Sequence, residues 1–325
     1  MSQQHRGGTG WAIVCILGAL ASWTSVPLLL RFFATSSTPI DGWTANGWRY
    51  GFSALLWAPM LLWAYARKNW PERLWRRALW PSLWNAVAQV CFGLAPSYIE
   101  PGLMTFALRV QIVFVTIAAA LLFAAERRII RSPAYLVGLA MVLSGTVATL
   151  AMRPGGLGEG TGLGVALSVL SGACYAGYAL SVRHFLAGIN PLVAFAAVSQ
   201  YTAGILLVLM LFIAPGAGAA VLDMRPLGPM LGLLAFSSVI GIGLGHTLYF
   251  VSIGRLGVAV SSAVVQLQPV TVSVASMFLF QELLTGLQWV TGVMAIAGAG
   301  LILVAQRRST RATKVTKEPA ASPEP

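Results

Sequence analysis

Charged residues are scarce in this chain, and acidic residues are the scarcest of them. Only 9% of the 325 residues are charged, and Asp and Glu together number 9. A soluble domain carries about 25% charged residues, so this composition excludes an ordinary soluble domain. With 57% hydrophobic residues, the chain is expected to be an integral membrane protein.

Cysteine and histidine are also rare, with three residues of each. Cys15, Cys91 and Cys174 fall in separate apolar segments, so neither a disulfide framework nor a metal site is expected. The histidines are scattered, and no carboxylate lies inside an apolar segment. Catalysis would need a paired nucleophile and base, or clustered metal ligands. A membrane-embedded lipid-modifying enzyme is therefore a remote alternative, and no cofactor or metal is expected.

Long apolar runs dominate the sequence. Each is roughly 20 residues long, enough for a helix to cross a hydrocarbon core of about 30 Å. The first run extends to Phe33, which is too long for a cleaved signal peptide. The predicted spans are residues 11–33, 43–66, 78–97, 102–124, 133–152, 161–185, 191–214, 229–253, 256–279 and 286–305.

The basic residues are distributed unevenly between alternate loops. If the N-terminus is cytoplasmic, most of the 21 Lys and Arg residues fall in inner loops and tails. This asymmetry follows the positive-inside rule and predicts a multi-pass inner (plasma) membrane protein with both termini cytoplasmic. The basic loops and tail should contact anionic lipid, so the net charge of +12 requires no nucleic-acid partner.

The apolar pattern occurs twice. Segment 110–126 begins Val-Gln, continues through apolar residues to Phe123 and ends at Glu126, and segment 265–282 repeats this pattern up to Phe278 and Glu282. Each copy holds five predicted spans, and an odd number inverts the second copy in the membrane. The predicted fold is thus an all-α integral membrane protein of ten transmembrane helices, arranged as two inverted five-helix repeats.

The charges of two equivalent loops support this inversion. The loop after the fourth span contains Arg127, Arg128 and Arg131, whereas the loop after the ninth has no basic residue. Opposite charge patterns are expected of loops on opposite sides of a membrane. The predicted divisions are a cytoplasmic N-terminus (1–10), a first repeat (11–155), a second repeat (156–305) and a disordered basic cytoplasmic tail (306–325).

This arrangement resembles the EamA-type members of the drug/metabolite transporter superfamily over about residues 11–305. The residues that carry the resemblance are Trp23, Arg49, Phe123 to Arg127, the run from Gly138 to Gly145, Gln268-Pro269, the stretch Leu279 to Glu282, and Gly292. The chain departs from the family pattern at Val113, which stands where the second copy has Pro269, and at Arg109. The resemblance implies movement of small metabolites, amino acids or drugs, commonly outward.

Two arginines inside predicted spans are the main candidates for substrate binding. A cation within the bilayer normally faces a cavity or a partner, so Arg109 is expected to bind an anionic group of the substrate. The family resemblance implies that Arg49 lies at the cavity, where it could also meet that group, or in an outer gate. For Arg109 the alternatives are snorkelling to the surface or pairing with Glu100. For Arg49 the alternative is an interfacial anchor beside the nearby tryptophans.

Polar and aromatic residues in several spans complete the predicted site. They could line a substrate cavity, or they could merely join helices by hydrogen bonds worth about 0.6 kcal/mol each. These candidates are Trp23, Asn85, Gln89, Tyr175, Tyr178, His246, Tyr249, Gln266 and Gln268. Because no carboxylate lies in a span, facilitated or exchange transport is favoured over proton coupling.

The sequence therefore predicts a secondary transporter, an exporter or a facilitator, that works by alternating access. Its partner would be a small organic metabolite, such as an amino acid or another amphipathic or anionic solute. A nucleotide-sugar or sugar-phosphate exchanger on the same fold is the alternative. A homodimer is left open.

Overall fold

The computed structural model describes residues 3–122, 130–153, 159–256 and 264–315, and within these ranges all regular structure is helical. The helices are α1 (Gln3–Thr35), α2 (Gly42–Ala66), α3 (Leu74–Leu94), α4 (Pro101–Leu108), α5 (Gln111–Leu122), α6 (Pro133–Ala151), α7 (Glu159–Phe185), α8 (Pro191–Ile213), α9 (Leu227–Ser238), α10 (Gly245–Leu256), α11 (Gln268–Phe280) and α12 (Gly286–Val315).

Six helical segments in the described residues are long and apolar enough to cross a membrane. They are Gly10–Thr35, Pro133–Ala151, Gly160–Val182, Leu192–Ile213, Leu227–Tyr249 and Gly286–Ala305. The predicted class, an all-helical integral membrane protein, is confirmed at this level.

Several helices begin where the sequence supplies a capping side chain. Asp41 accepts hydrogen bonds from the backbone N–H groups of Trp43 and Thr44, at 2.9 and 3.0 Å, and so starts α2. Asn190 caps α8 in the same way, immediately before a proline at the first helical position. Both devices satisfy N–H groups that a helix start leaves without an intrahelical acceptor.

The predicted fourth span is interrupted. Helix α4 ends at Leu108 and α5 begins at Gln111, and the turn between them has the tight hydrogen bonds of a 3₁₀ helix. Arg109 N–H donates to Phe106 O at 3.1 Å, and Val110 N–H donates to Ala107 O at 3.2 Å. No proline causes this break, so the sequence pattern predicted one continuous helix. Such a change of helix type often marks a functional position.

The predicted eighth and ninth spans also differ from continuous α-helices. Residues Val239–Leu244 form a π-helical turn that joins α9 to α10. Helix α11 begins at Gln268, after a turn at Gln266 and Leu267. Pro269 explains this second break, because proline lacks the N–H of a regular helix.

The end of α12 corrects one prediction. The helix continues to Val315, although a disordered tail was predicted from residue 306. The stretch 306–315 holds Gln, Arg, Ala and Lys without glycine or proline, and these residues favour a helix. Residues 316–325, the predicted link 154–158, Phe123, Glu126, Arg127 and Arg128 lie outside the described residues.

The helices pack in long-range pairs. Helix α6 packs on α12, α3 on α7, α2 on α8, α1 on α10, and α4 on α11. The α6–α12 pair depends on small residues, because a Cβ on Gly138 would lie 2.7 Å from the Gly298 carbonyl oxygen. Close backbone approach of this kind replaces the hydrophobic driving force that membrane helices lack.

Candidate functional site

Arg109 lies in the turn between α4 and α5 and points into the protein, where it is 8% exposed. Its Nη2 donates to Gln268 Oε1 at 2.7 Å, and its Nη1 contacts the Val265 carbonyl oxygen at 3.4 Å. Its Nε has no hydrogen-bond partner among the residues that the structure describes. The snorkelling alternative is wrong because the side chain is buried, and the pairing with Glu100 is wrong because that carboxylate binds Arg153 instead.

Arg49 on α2 is buried more deeply, with 1% of its surface exposed. Its Nε donates to Ser237 Oγ at 2.9 Å and its Nη1 donates to Asn46 Oδ1 at 3.2 Å. Asn46 in turn donates through Nδ2 to the Gln89 carbonyl oxygen at 2.5 Å. The interfacial-anchor alternative is therefore wrong, since an anchor would hold its guanidinium in the headgroup region.

Both guanidinium groups approach the same turn of α1. Gln268, which accepts from Arg109, donates through Nε2 to the Trp23 carbonyl oxygen at 2.7 Å. Gly241 shows that Arg49 lies near Val26. A Cβ built on Gly241 would overlap the Val26 side chain and would lie 3.5 Å from Arg49 Nη2. Trp23 and Val26 are three residues apart on α1 and share a face.

Aromatic rings surround this turn. The Trp23 ring centroid lies 5.3 Å from that of His246 and 5.0 Å from that of Tyr249. His246 stacks on Phe195, with the ring centroids 4.8 Å apart. Its Nδ1 donates a hydrogen bond to the Ile242 carbonyl oxygen at 2.9 Å. Three predicted residues from α1 and α10 are therefore brought together.

Tyr175 on α7 lies near both arginines. Its ring packs against Phe92, with the ring centroids 6.2 Å apart. Tyr178, one turn further along α7, lines an apolar cavity of about 100 Å³ between α7 and α8. We call the region around Arg49, Arg109 and Trp23 the centre. Tyr175 lies in it, and Tyr178 lies towards its edge.

The remaining predicted residues are less clearly part of the site. Asn85 donates through Nδ2 to Thr202 Oγ1 at 3.0 Å, which joins α3 to α8 as the helix-joining alternative predicted. Gln89 is 6% exposed, and its backbone carbonyl receives the bond from Asn46. Gln266 lies in the turn before α11, and its Oε1 has no hydrogen-bond partner.

Arg49 and Arg109 have no carboxylate partner among the described residues. Their hydrogen-bond acceptors within the described residues are neutral: a hydroxyl, two amides and a backbone carbonyl. Burying a cation without a counter-charge is costly. The arrangement can therefore hold an anionic group between the helices.

The arginines at one end of the bundle are arranged differently. Here Arg31 pairs with Glu282 at 2.9 Å and Arg153 pairs with Glu100 at 2.7 Å. We name this the acidic end, after Glu100 and Glu282. Both carboxylates line a cavity of about 280 Å³, together with polar residues such as Ser273.

Sequence reasoning missed three residues that shape the centre. Asn46 and Ser237 hold the Arg49 guanidinium, and Phe195 stacks on His246. Asn46 is three residues before Arg49, so helical spacing could have identified it. Ser237 and Phe195 offered no signal, because they lie on other helices and their proximity is set by packing.

Comparisons with known proteins agree with this fold. Residues 162–304 match the model of the EamA-like transporter family. No curated protein matches the chain. Among solved structures, one crystal structure of a protein superposes with a TM-score of 0.61 at 16% identity, covering 91% of this chain and 98% of that one. This identity shows a shared fold alone. Residues 162–304 therefore match the EamA-like transporter family, which is a family of the drug/metabolite transporter superfamily.

Proposed function

We propose that the protein is a secondary transporter that moves a small organic metabolite with an anionic group across the plasma membrane. It would work by alternating access of two inverted five-helix repeats, with both termini in the cytoplasm. The first repeat comprises α1 to α6, with α4 and α5 as one span. The second comprises α7 to α12, with α9 and α10 as one span.

The pairwise packing supports the inverted repeat. Exchanging the two repeats turns the α1–α10 contact into the α7–α3 contact, and both occur. The same exchange turns α1–α11 into α7 against α4 and α5, which also occurs. The pairs α2–α8, α4–α11 and α6–α12 map onto themselves. A pseudo-two-fold axis between the repeats produces this pattern, and inverted-repeat transporters have such an axis in the membrane plane.

The observation that carries the proposal is the position of the two buried arginines. Each belongs to the first repeat and hydrogen-bonds a side chain of the second: Arg49 to Ser237 and Arg109 to Gln268. Transporters of this architecture bind substrate at the interface of their repeats, near the membrane midplane. An anion bound here would contact both moving parts at once.

Contacts between distant segments support a gate at the acidic end. The Arg31–Glu282 pair joins α1 to the segment after α11, and Arg31 Nη1 also donates to the Pro96 carbonyl oxygen at 2.8 Å. Apolar residues such as Phe33, Ile99 and Met224 belong to a buried cluster that includes this region. We propose that the acidic end faces outwards and that alternating access opens it by separating these contacts.

The proposal can be tested in proteoliposomes that contain the purified full chain. A panel of labelled amino acids, organic acids and neutral metabolites would be offered, with and without unlabelled solute inside. We expect saturable uptake of at least one anionic solute, stimulated by the same solute on the opposite side. Arg109→Gln should lower the apparent affinity for this solute about 10- to 100-fold, whereas Arg225→Gln should not, because Arg225 is exposed. Uptake of neutral solutes alone, equal in Arg109→Gln, would refute the anionic site.

A further inference from the structure

We propose that the substrate carries two separated negative charges, as a small dicarboxylate does, and that Arg49 and Arg109 each bind one of them. This inference rests on the proposed function, because it names the substrate class of the same site. It goes further in making the two arginines partners in one recognition event.

The first support is the shared location of the two guanidinium groups. Arg109 reaches Trp23 on α1 through Gln268, and Arg49 lies near Val26, three residues further along the same helix. Three residues along a helix correspond to a rise of about 4.5 Å. Tyr175 lies near both guanidinium groups. Both groups therefore lie close to residues 23–26 of α1.

The second support is charge balance. Neither guanidinium has a carboxylate partner in the described part of the chain, so the region carries two positive charges without compensation. A monoanion would neutralise one and leave the other buried without a counter-charge, which is unfavourable in a low-dielectric interior. A dianion neutralises both.

The third support is unused hydrogen-bonding capacity. A guanidinium has five N–H donors. The hydrogen bonds of Arg49 occupy its Nε and one Nη1 donor, and those of Arg109 occupy one donor each on Nη1 and Nη2. Each group keeps enough N–H donors for a bidentate bond to a carboxylate, which guanidinium geometry favours.

The two arginines favour two separated anionic groups over one compact group. They come from different helices, α2 and α4–α5, and each is held by its own partner in the second repeat. Binding a single phosphate would require both to converge on the same oxygens. A dicarboxylate can instead place one carboxylate at each guanidinium, with its short apolar chain beside the Trp23 ring and its aromatic neighbours.

The test compares each dicarboxylate with its own monoamide, which has nearly the same shape and one charge fewer. Malonate, succinate and glutarate, each beside its monoamide, would compete with labelled substrate in proteoliposomes and be titrated in thermal-unfolding assays. The best dicarboxylate should compete at least about tenfold better than its monoamide, the value of one charge-assisted hydrogen-bonded contact.

Variants test whether both arginines cause the preference for a dicarboxylate over its monoamide. Arg49→Gln and Arg109→Gln should each reduce the preference to about onefold, while the exposed-site variant Arg225→Gln should keep it. If a glutamine variant fails to fold, Arg49→Lys and Arg109→Lys retain the charge and should keep part of the preference.

Three outcomes would overturn the inference. Equal competition by dicarboxylate and monoamide, still dependent on Arg109, would show a monoanion site and leave the proposed function standing. Stronger competition by orthophosphate or a phosphate monoester than by every dicarboxylate would show one compact anionic group. Loss of the preference in Arg109→Gln but not in Arg49→Gln would remove Arg49 from the site. No competition by any anion would instead refute the anionic part of the proposed function.

Discussion

The arginines of the acidic end and those of the centre show opposite arrangements of charge. At the acidic end, Arg31 and Arg153 each bind a carboxylate, and their side chains are 21% and 25% exposed. In the centre, Arg49 and Arg109 are almost fully buried, and their partners within the described part of the chain are neutral groups. The protein thus supplies carboxylates where water already screens the charge and omits them where burial makes a counter-ion most valuable.

This difference separates two roles of one residue type. A partly exposed ion pair is worth about 0–1 kcal/mol, enough to bias a contact that must also break. A buried cation without a counter-charge is costly, and this cost is the reason why we propose a ligand there. We propose that the Arg31–Glu282 pair contributes to closure and that the central arginines bind substrate.

The largest effect is expected from Arg109→Gln. Loss of a charge-assisted contact of about 1.5–3 kcal/mol should lower apparent affinity about 10- to 100-fold, measured as initial uptake against substrate concentration. The thermal-unfolding midpoint of the ligand-free protein should stay the same or rise, because an uncompensated buried charge is removed. A lower midpoint with unchanged transport would make Arg109 a structural residue. The proposed difference in role between the central arginines and those of the acidic end would then be wrong.

Asn46→Ala should have a smaller effect on transport. Asn46 orients Arg49 with a single hydrogen bond to its Nη1, worth about 1 kcal/mol, so apparent affinity should fall about fivefold. Asn85→Ala is the matched control, because Asn85 bonds Thr202 across α3 and α8. It should lower the unfolding midpoint and leave substrate affinity unchanged. The reverse pattern would place Asn85 in the site and Asn46 outside it.

Breaking the Arg31–Glu282 pair should favour the conformation in which the acidic end is open, without changing which substrate is preferred. With the pair worth about 0–1 kcal/mol, Arg31→Glu should raise labelling of Leu103→Cys by a water-soluble thiol reagent up to about fivefold. Leu103 is 2% exposed and lines the cavity at the acidic end. Adding Glu282→Arg should reverse the effect. Labelling that is unchanged in Arg31→Glu would show that the pair does not hold this end closed.

The smallest effect is expected from Glu100→Gln. Hydrogen bonds with Glu100 raise the pKa of Arg153 above its ordinary value, so this guanidinium stays charged at every physiological pH. Both side chains are about one-quarter exposed, and the pair joins two parts of the same repeat. Transport should be unchanged, and the free energy of unfolding should fall by less than about 1 kcal/mol. A large loss of transport would move this pair into the substrate pathway.

The sequence predicted the helical class and the central arginines for related reasons. Apolar runs of membrane-spanning length need no tertiary information to be recognised, and a charge inside such a run is unusual wherever it points. The family resemblance is confirmed over residues 162–304. The structure decides between alternatives that the sequence left open: Glu100 pairs with Arg153 and not with Arg109, and Asn85 joins α3 to α8.

The break between α4 and α5 could not be predicted because no proline or glycine marks it. Arg109 makes its hydrogen bonds to Val265 and Gln268, more than 150 residues away in the chain. The pairing of Glu100 with Arg153 could not be predicted either, since the two residues are 53 positions apart in the chain. Spacing along the chain carries no information about such pairs.

The sequence by itself determined that this protein is built from apolar helices and that a few cations lie within them. Those properties depend on local composition and on the cost of exposing backbone or charge to lipid. Only the tertiary structure decided which cations received a carboxylate and which were left with neutral partners. That division depends on how distant helices pack, because electrostatic compensation acts across space and not along the chain.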